Sequence, residues 1–241
     1  MKKILRLSID VEEMKRRWYG IDDLNNDELF RKMIYDTTNP ETRALDAGAG
    51  AGDRFPYDLK GRIKEIIGVD LDPRVKTNLQ LDRGIEADLT AIPIKNNYCD
   101  VIFSRYVLEH VGTPEAFLNE MNRILKPGGR ILFLTPNKWH YVSLASRLTP
   151  QSFHNWYNKR RGREADTFPT LYHLNSVSSI HKHFRRAGFR ELRLLLRECC
   201  PNYLTFCPPV FALGVAYERI VNSSHILASL RVNILGCFEK E

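Results

Sequence analysis

Nowhere in the 241 residues is there a run of about 18 uncharged apolar residues, the length that a bilayer-spanning helix needs, so no transmembrane helix is expected. The start, Met1-Lys2-Lys3-Ile4-Leu5-Arg6, is basic but soon reaches Asp10, Glu12 and Glu13, so no signal peptide is expected either. The five cysteines (Cys99, Cys199, Cys200, Cys207 and Cys237) form no CxxC pair and have no His-rich partner segment, so no metal site is expected. They read as reduced, mostly buried thiols of a cytoplasmic protein. There is no internal repeat and no low-complexity linker, and 241 residues suit one large domain with its own core. Neither sign of charge dominates: Lys and Arg number 36, Asp and Glu 29, a net charge of +7. That balance suits nucleic acid, anionic lipid or an acidic substrate and identifies none of them.

What is present is an alternation of elements. Residues 1–40 read as a helical N-terminal cap. Trp18, Ile21, Leu24, Leu29, Phe30, Met33 and Ile34 recur at helical spacing across a turn-like Asn25-Asn26-Asp27. Trp18-Tyr19 can close over a ligand or anchor the cap. Strands are expected at 43–46, 66–70, 84–87, 100–104 and 130–135, with a poor, Pro56-interrupted helix after the first. Pro73 starts a second helix. A third runs from Thr113 as N-cap and Pro114 in the first turn, with Phe117, Met121, Ile124 and Leu125 on one face. Lys126-Pro127-Gly128-Gly129 stops it. Strands alternating with helices argue for a parallel sheet covered on both faces. Further on come a helix at about 176–187, a strand from Phe189 to Leu196, a Pro-punctuated apolar insertion over 197–230, and a last strand, Val232 to Phe238. Val210, Leu213, Tyr217 and Ile220 share one face of a helix in that insertion.

The chemistry gathers at Ala44-Leu45-Asp46-Ala47-Gly48-Ala49-Gly50-Ala51-Gly52. A short apolar strand delivers the chain to the rim of a sheet, and glycines there allow a sharp turn and a close ligand. Three acids follow in order at three strand ends: Asp46, Asp70 and Asp88. Asp70 can accept hydrogen bonds from both ribose hydroxyls. Asp88 can receive an adenine amino group, and Asp46 can face a cation. The dinucleotide fingerprint G-x-G-x-x-G fails here, because its sixth position counted from Gly48 is Asp53, which suits pyrophosphate poorly. The rim therefore suits a nucleoside with a positive tail.

These segments resemble the class I S-adenosylmethionine-dependent methyltransferases, most closely the small-molecule branch called type 11. The likeness covers about residues 40–135. Asp46 to Gly52 stands at the first motif and Gly68-Val69-Asp70-Leu71-Asp72 at the ribose acid. Asp88-Leu89-Thr90-Ala91-Ile92-Pro93-Ile94 resembles the adenine segment. Arg105-Tyr106-Val107-Leu108-Glu109-His110-Val111 resembles the segment beside the methionine moiety, and Leu125 to Gly129 the turn before strand five. Pro56 and Cys99 depart from the pattern. The resemblance implies a Rossmann-like α/β fold: seven mostly parallel strands with the last antiparallel, helices on both faces, and S-adenosylmethionine as cofactor. It implies cofactor contacts from Asp46, Ala47, Gly48, Gly50, Asp70, Leu71, Asp88, Leu89, Ser104 and Arg105. The organisation expected is a single domain over 1–241: the cap at 1–40, a cofactor half at 41–135 and a substrate half at 136–241.

A methyl donor of this kind needs the acceptor aligned behind the methyl for in-line displacement, and some acceptors also need a general base. His140, His154 and His173 are candidates. His140 is the nearest to the rim and the one chosen as catalytic. Glu109-His110 reads as a structural pair. Nucleic acid is disfavoured as a substrate, since no Asn/Asp-Pro-Pro-Tyr/Phe motif and no Pro-Cys nucleophile appear. The basic Lys159-Arg160-Arg161-Gly162-Arg163 reads as a solvated loop. Residues 200–221 suit a hydrophobic or lipid-linked small-molecule acceptor, or peripheral contact with a membrane. Three readings stay open beside this one: a non-catalytic methyltransferase-like binding protein, a methyltransferase acting on RNA or protein, and a nucleotide-dependent oxidoreductase.

Overall fold

The computed structural model describes residues 10–20, 25–148 and 169–241. Seven strands make one sheet: β1 (Arg43–Ala47), β2 (Glu65–Asp70), β3 (Arg83–Glu86), β4 (Cys99–Arg105), β5 (Leu125–Pro136), β6 (Phe189–Arg197) and β7 (Asn233–Lys240). Their order is β3-β2-β1-β4-β5-β7-β6. The β1–β2, β1–β4, β2–β3 and β4–β5 pairs are parallel, and β7 runs antiparallel between β5 and β6. This is the expected fold. In-register pairing sets the strand ends on one rim, with Asp70 beside Glu86 and Ala47 beside Val69. β5 pairs from Leu125, and its Lys126–Gly129 turn bulges out between two paired stretches.

One face of the sheet is covered by α3 (Pro114–Ile124) and α5 (Val177–Arg186). Phe117, Leu118, Met121, Ile180 and Phe184 bury there against Ile102, Phe133 and Phe238. Pro114 opens α3 as expected, but Thr113 makes no side-chain cap bond. The other face departs from expectation: no helix follows the glycine loop. Pro56 lacks the N–H that a helix would use there. The chain runs instead through turns, with Tyr57 N donating to Gln80 Oε1 at 2.7 Å. The cap fills the gap. α2 (Asn26–Thr37) lays Phe30, Met33 and Ile34 on that face, against Ala44, Ile66 and Leu132.

The rest of the cap lies elsewhere. α1 (Val11–Trp18) packs Val11 and Met14 with Phe211 and Val215 of α6 (Pro208–Ser223). Trp18 stacks on Phe211 at 6.3 Å, and Tyr19 donates to Glu218 at 2.9 Å. These aromatics anchor the cap rather than close over a ligand. Pro73 opens a short 3-10 turn (Pro73–Thr77) in place of a full helix.

In α6 the buried residues are Phe211, Gly214, Val215 and Val221. Of the stripe Val210, Leu213, Tyr217 and Ile220, Leu213 is 69% and Ile220 58% exposed, while Tyr217 packs against His140 and Tyr141. The excursion carrying α6 is pinned where it leaves and returns. Arg231 donates to Leu196 O and Val221 O, each at 3.0 Å, and Val232 N donates to Glu198 at 2.7 Å. Among the described residues no helix is long and apolar enough to cross a membrane.

Candidate active site

A cavity of about 1280 Å³ opens at the carboxyl rim of the sheet. The glycine loop forms its floor. Gly48 has φ +93, and a Cβ there would overlap Val107 Cγ2. Gly52 has φ +82, and a Cβ there would strike Asn78 Oδ1. Only glycine fits either place without strain. Asn78 holds the loop by donating to Ala49 O and Gly50 O, each at 3.3 Å, and Gln80 donates to Gly52 O.

The rim acids stand where the strand ends put them. Asp70 Oδ2 accepts from Gly50 N and Oδ1 from Asp72 N, both at 2.8 Å. A carboxylate has about four lone-pair positions, so two backbone donors leave room for ligand hydroxyls. Asp88 is exposed at the cavity wall and caps its own turn, accepting from Thr90 N and Oγ1 at 2.7 Å. Asp46 is 8% exposed and accepts from the Tyr57 hydroxyl at 2.7 Å. Burial pushes its carboxyl up to about 7, with the Asp70 charge adding and the Tyr57 hydrogen bond opposing. Burial and the Asp46 charge push the Tyr57 phenol far up, so it stays a donor.

Gly48, Gly50, Leu71 and Leu89 also line the cavity. Two residues of the expected cofactor set do not. Ala47 is fully buried in β1, and Ser104 is fully buried in β4, donating to Ala47 O at 3.0 Å. The strand pleat turns both away from the rim. Arg105 reaches the cavity, but its guanidinium is held by Asp27 at the start of α2, at 2.8 and 2.7 Å. It lies 5.0 Å over Phe55 and 4.7 Å over Tyr106. Tyr106 takes φ +54 to turn the chain out of β4, and its hydroxyl accepts from Asn233 at 3.0 Å.

The far end of the cavity carries Tyr141, Tyr172, Tyr203, Cys199, His140 and Glu198. His140 is 1% exposed and starts the turn into α4 (Tyr141–Leu148). Its Nδ1 accepts from Val142 N at 3.3 Å, and its Nε2 lies 3.4 Å from Glu198 Oε2. An accepting Nδ1 places the ring proton on Nε2, which is near the carboxylate but makes no hydrogen bond among the described residues. Burial pushes the Cys199 thiol up to about 12, which makes it a poor nucleophile.

Of the other histidines, His173 is exposed away from the cavity, and His154 lies outside the described residues, as does the Lys159–Arg163 run. Glu109 braces the wall: it accepts from Thr135 Oγ1 at 3.1 Å, and its carbonyl accepts from Leu171 N at 2.7 Å. Glu198, Asn26, Tyr57 and Asn78 are site residues that periodicity and motif spacing leave unmarked. A polar residue inside an apolar stretch, as Glu198 is after Leu194-Leu195-Leu196, is the one signal available.

The sheet order, the single antiparallel strand and the glycine-and-acid rim define the class I S-adenosylmethionine-dependent methyltransferase fold. Residues 45–133 match the family model for a methyltransferase domain, type 11. A ubiquinone/menaquinone biosynthesis C-methyltransferase of Burkholderia vietnamiensis is 31% identical over 143 residues, covering 55% of this chain and 59% of the relative. One of a Shewanella species is 34% identical over 113 residues, 41% of this chain and 44% of the relative. The chain thus spans 59% and 44% of the length of these relatives.

Among solved structures, geranyl diphosphate C-methyltransferase from Streptomyces coelicolor aligns with a TM-score of 0.55 at 13% identity, over 89% of this chain and 78% of that one. The [4+2]-cyclase SpnF aligns with a TM-score of 0.55 at 17% identity, over 89% and 81%. These likenesses establish the fold alone, and the pair shows one fold carrying different chemistries.

Proposed function

We propose that this chain is an S-adenosylmethionine-dependent methyltransferase acting on a small-molecule acceptor that is hydrophobic or lipid-linked. The observation that carries the reading is one cavity with two chemically distinct ends. The end beside Gly48, Gly50, Asp70, Asp88 and Leu89 suits the nucleoside, since the loop admits no Cβ and the acids accept hydroxyl and amino protons. Asp46 suits the positive part of the cofactor. Bound there, S-adenosylmethionine supplies an activated methyl group.

The chain's own residues align the acceptor and keep water from it. Tyr141, Tyr172 and Tyr203 give the far end apolar ring faces with polar edges. For an acceptor that must lose a proton, the buried His140–Glu198 pair serves as one proton-holding unit, with Glu198 as its basic member because the His140 nitrogens face Val142 N and that carboxylate. The exposed outer face of α6, with Phe206 and Ile226 67% and 89% exposed nearby, supports peripheral contact with lipid, from which such an acceptor would be drawn. The cap, cofactor half and acceptor half act as one unit, since strands from both halves share the sheet.

Two measurements test the reading. Calorimetric titration with S-adenosylmethionine and S-adenosylhomocysteine is expected to give binding, lost in Asp70→Ala. Methyl transfer from labelled cofactor is expected with prenylated phenols or quinols. A wild-type protein that binds neither nucleoside overturns the reading.

A further inference from the structure

Asn26 is a buried polar group on the cavity wall that calls for an explanation. It opens the 12-residue helix α2, is 3% exposed, and lines the cavity. Neither its Oδ1 nor its Nδ2 has a hydrogen-bond partner among the described residues. Its neighbours are used: Asn25 Oδ1 accepts from Asp27 N at 2.9 Å, and Asp27 holds Arg105. Buried amides in folded proteins are almost always satisfied, so one left bare on a cavity wall is set to meet a ligand.

The surroundings say what kind. The N-terminus of α2 presents free N–H groups and a partial positive charge. Arg105 adds a guanidinium, and its charge is felt at Asp46. Cationic and anionic groups therefore flank an amide that can donate and accept at once. A zwitterionic α-amino acid matches that set, its carboxylate toward Nδ2 and the helix N–H groups, its ammonium toward Oδ1 and Asp46. The nucleoside is assigned to Asp70 and Asp88, on the other side of the glycine loop, so the amino-acid end is the part of the cofactor that extends toward α2.

We propose that Asn26, on the cap helix, is a specificity-determining residue for the amino-acid end of the cofactor. The inference rests on the reading of the cavity as an S-adenosylmethionine site. It makes the cap part of the cofactor pocket, and it makes cofactor binding depend on α2 being docked on the sheet.

The test compares two ligands that differ in this end alone. S-adenosylhomocysteine carries the amino acid; 5′-methylthioadenosine ends at the thioether. Both are titrated calorimetrically into the full chain, as wild type, Asn26→Ala and the near-isosteric Asn26→Asp, with thermal melts to verify folding. Each variant is expected to weaken S-adenosylhomocysteine about tenfold or more and to leave 5′-methylthioadenosine within about twofold. Equal loss of both ligands, no loss of either, or a wild type that binds the two equally overturns this inference alone. A wild type that binds neither overturns the cofactor reading beneath it. If Asn26→Ala does not fold, Asn26→Asp carries the comparison.

Discussion

Tyr57 donates its hydroxyl to Asp46 across 2.7 Å beneath the glycine loop, joining a turn segment to the end of β1. The bond sits where burial holds the Asp46 carboxyl up to about 7. A carboxyl raised above its ordinary value of about 4 favours the folded state most below that value and loses the benefit as pH rises through the folded value. Relative to Asp46→Asn, the wild type should lose on the order of 4 kcal/mol between about pH 4 and pH 8. Urea midpoints of both proteins across that range check it. Flat differences with pH would contradict the raised carboxyl.

The same group makes cofactor binding pH-dependent. A sulfonium near Asp46 favours the ionised carboxylate, so binding of S-adenosylmethionine should release a proton near neutral pH. Its affinity relative to the uncharged thioether S-adenosylhomocysteine should rise by about tenfold from pH 6 to pH 8. In Asp46→Asn the ratio should not move. Calorimetry in buffers of different ionisation enthalpy reads the proton directly.

Gly48→Ala should cost about 2 kcal/mol or more, because φ +93 is foreign to alanine and the added methyl overlaps Val107. Adding Val107→Ala should relieve the overlap and leave the backbone cost. The double variant should therefore recover part of the urea midpoint and none of the cofactor affinity that depends on the loop.

Glu198→Gln keeps an acceptor for Val232 N and removes the charge facing His140. With a proton-losing acceptor, kcat should fall about a hundredfold or more while the KM for cofactor holds. A fall in cofactor affinity instead, with kcat intact, would make the pair structural.

Leu213→Asp with Ile220→Asp should lower co-sedimentation with anionic phosphatidylglycerol vesicles at least about fivefold, since both side chains lie on the outer face of α6 and charge opposes their insertion. Cofactor titration should be unchanged, as neither residue lines the cavity. Equal sedimentation of wild type and variant would remove the lipid contact.

The rim was legible because its parts are local. Gly48, Gly50 and Asp70 follow or end apolar strands and Asp88 follows the short β3, and parallel pairing alone brings strand ends together. Asn26 and Glu198 were not legible: Asn26 matters because Arg105, 79 positions further on, pairs with its neighbour Asp27, and Glu198 because a chain turn lays it on His140. The helix expected after the glycine loop failed for a related reason. Local pattern does not reveal that α2, from an earlier segment, already covers that face. In α6 periodicity left the buried side open because apolar residues stand around much of the helix, with Phe211 and Val215 turned from the stripe of Val210, Leu213, Tyr217 and Ile220. Packing against α1 decides which side is inside.

The excursion between β6 and β7 leaves and returns at one place, closed by Arg231 on Leu196 and by Glu198 on Val232. It brings Cys199 to Tyr203 to the cavity wall while α6 stays outside it. A segment clasped at its base is an exchangeable module. On the proposed function, mutation can reshape its tip, and so the acceptors admitted, while the glycine-and-acid rim of the sheet stays as it is.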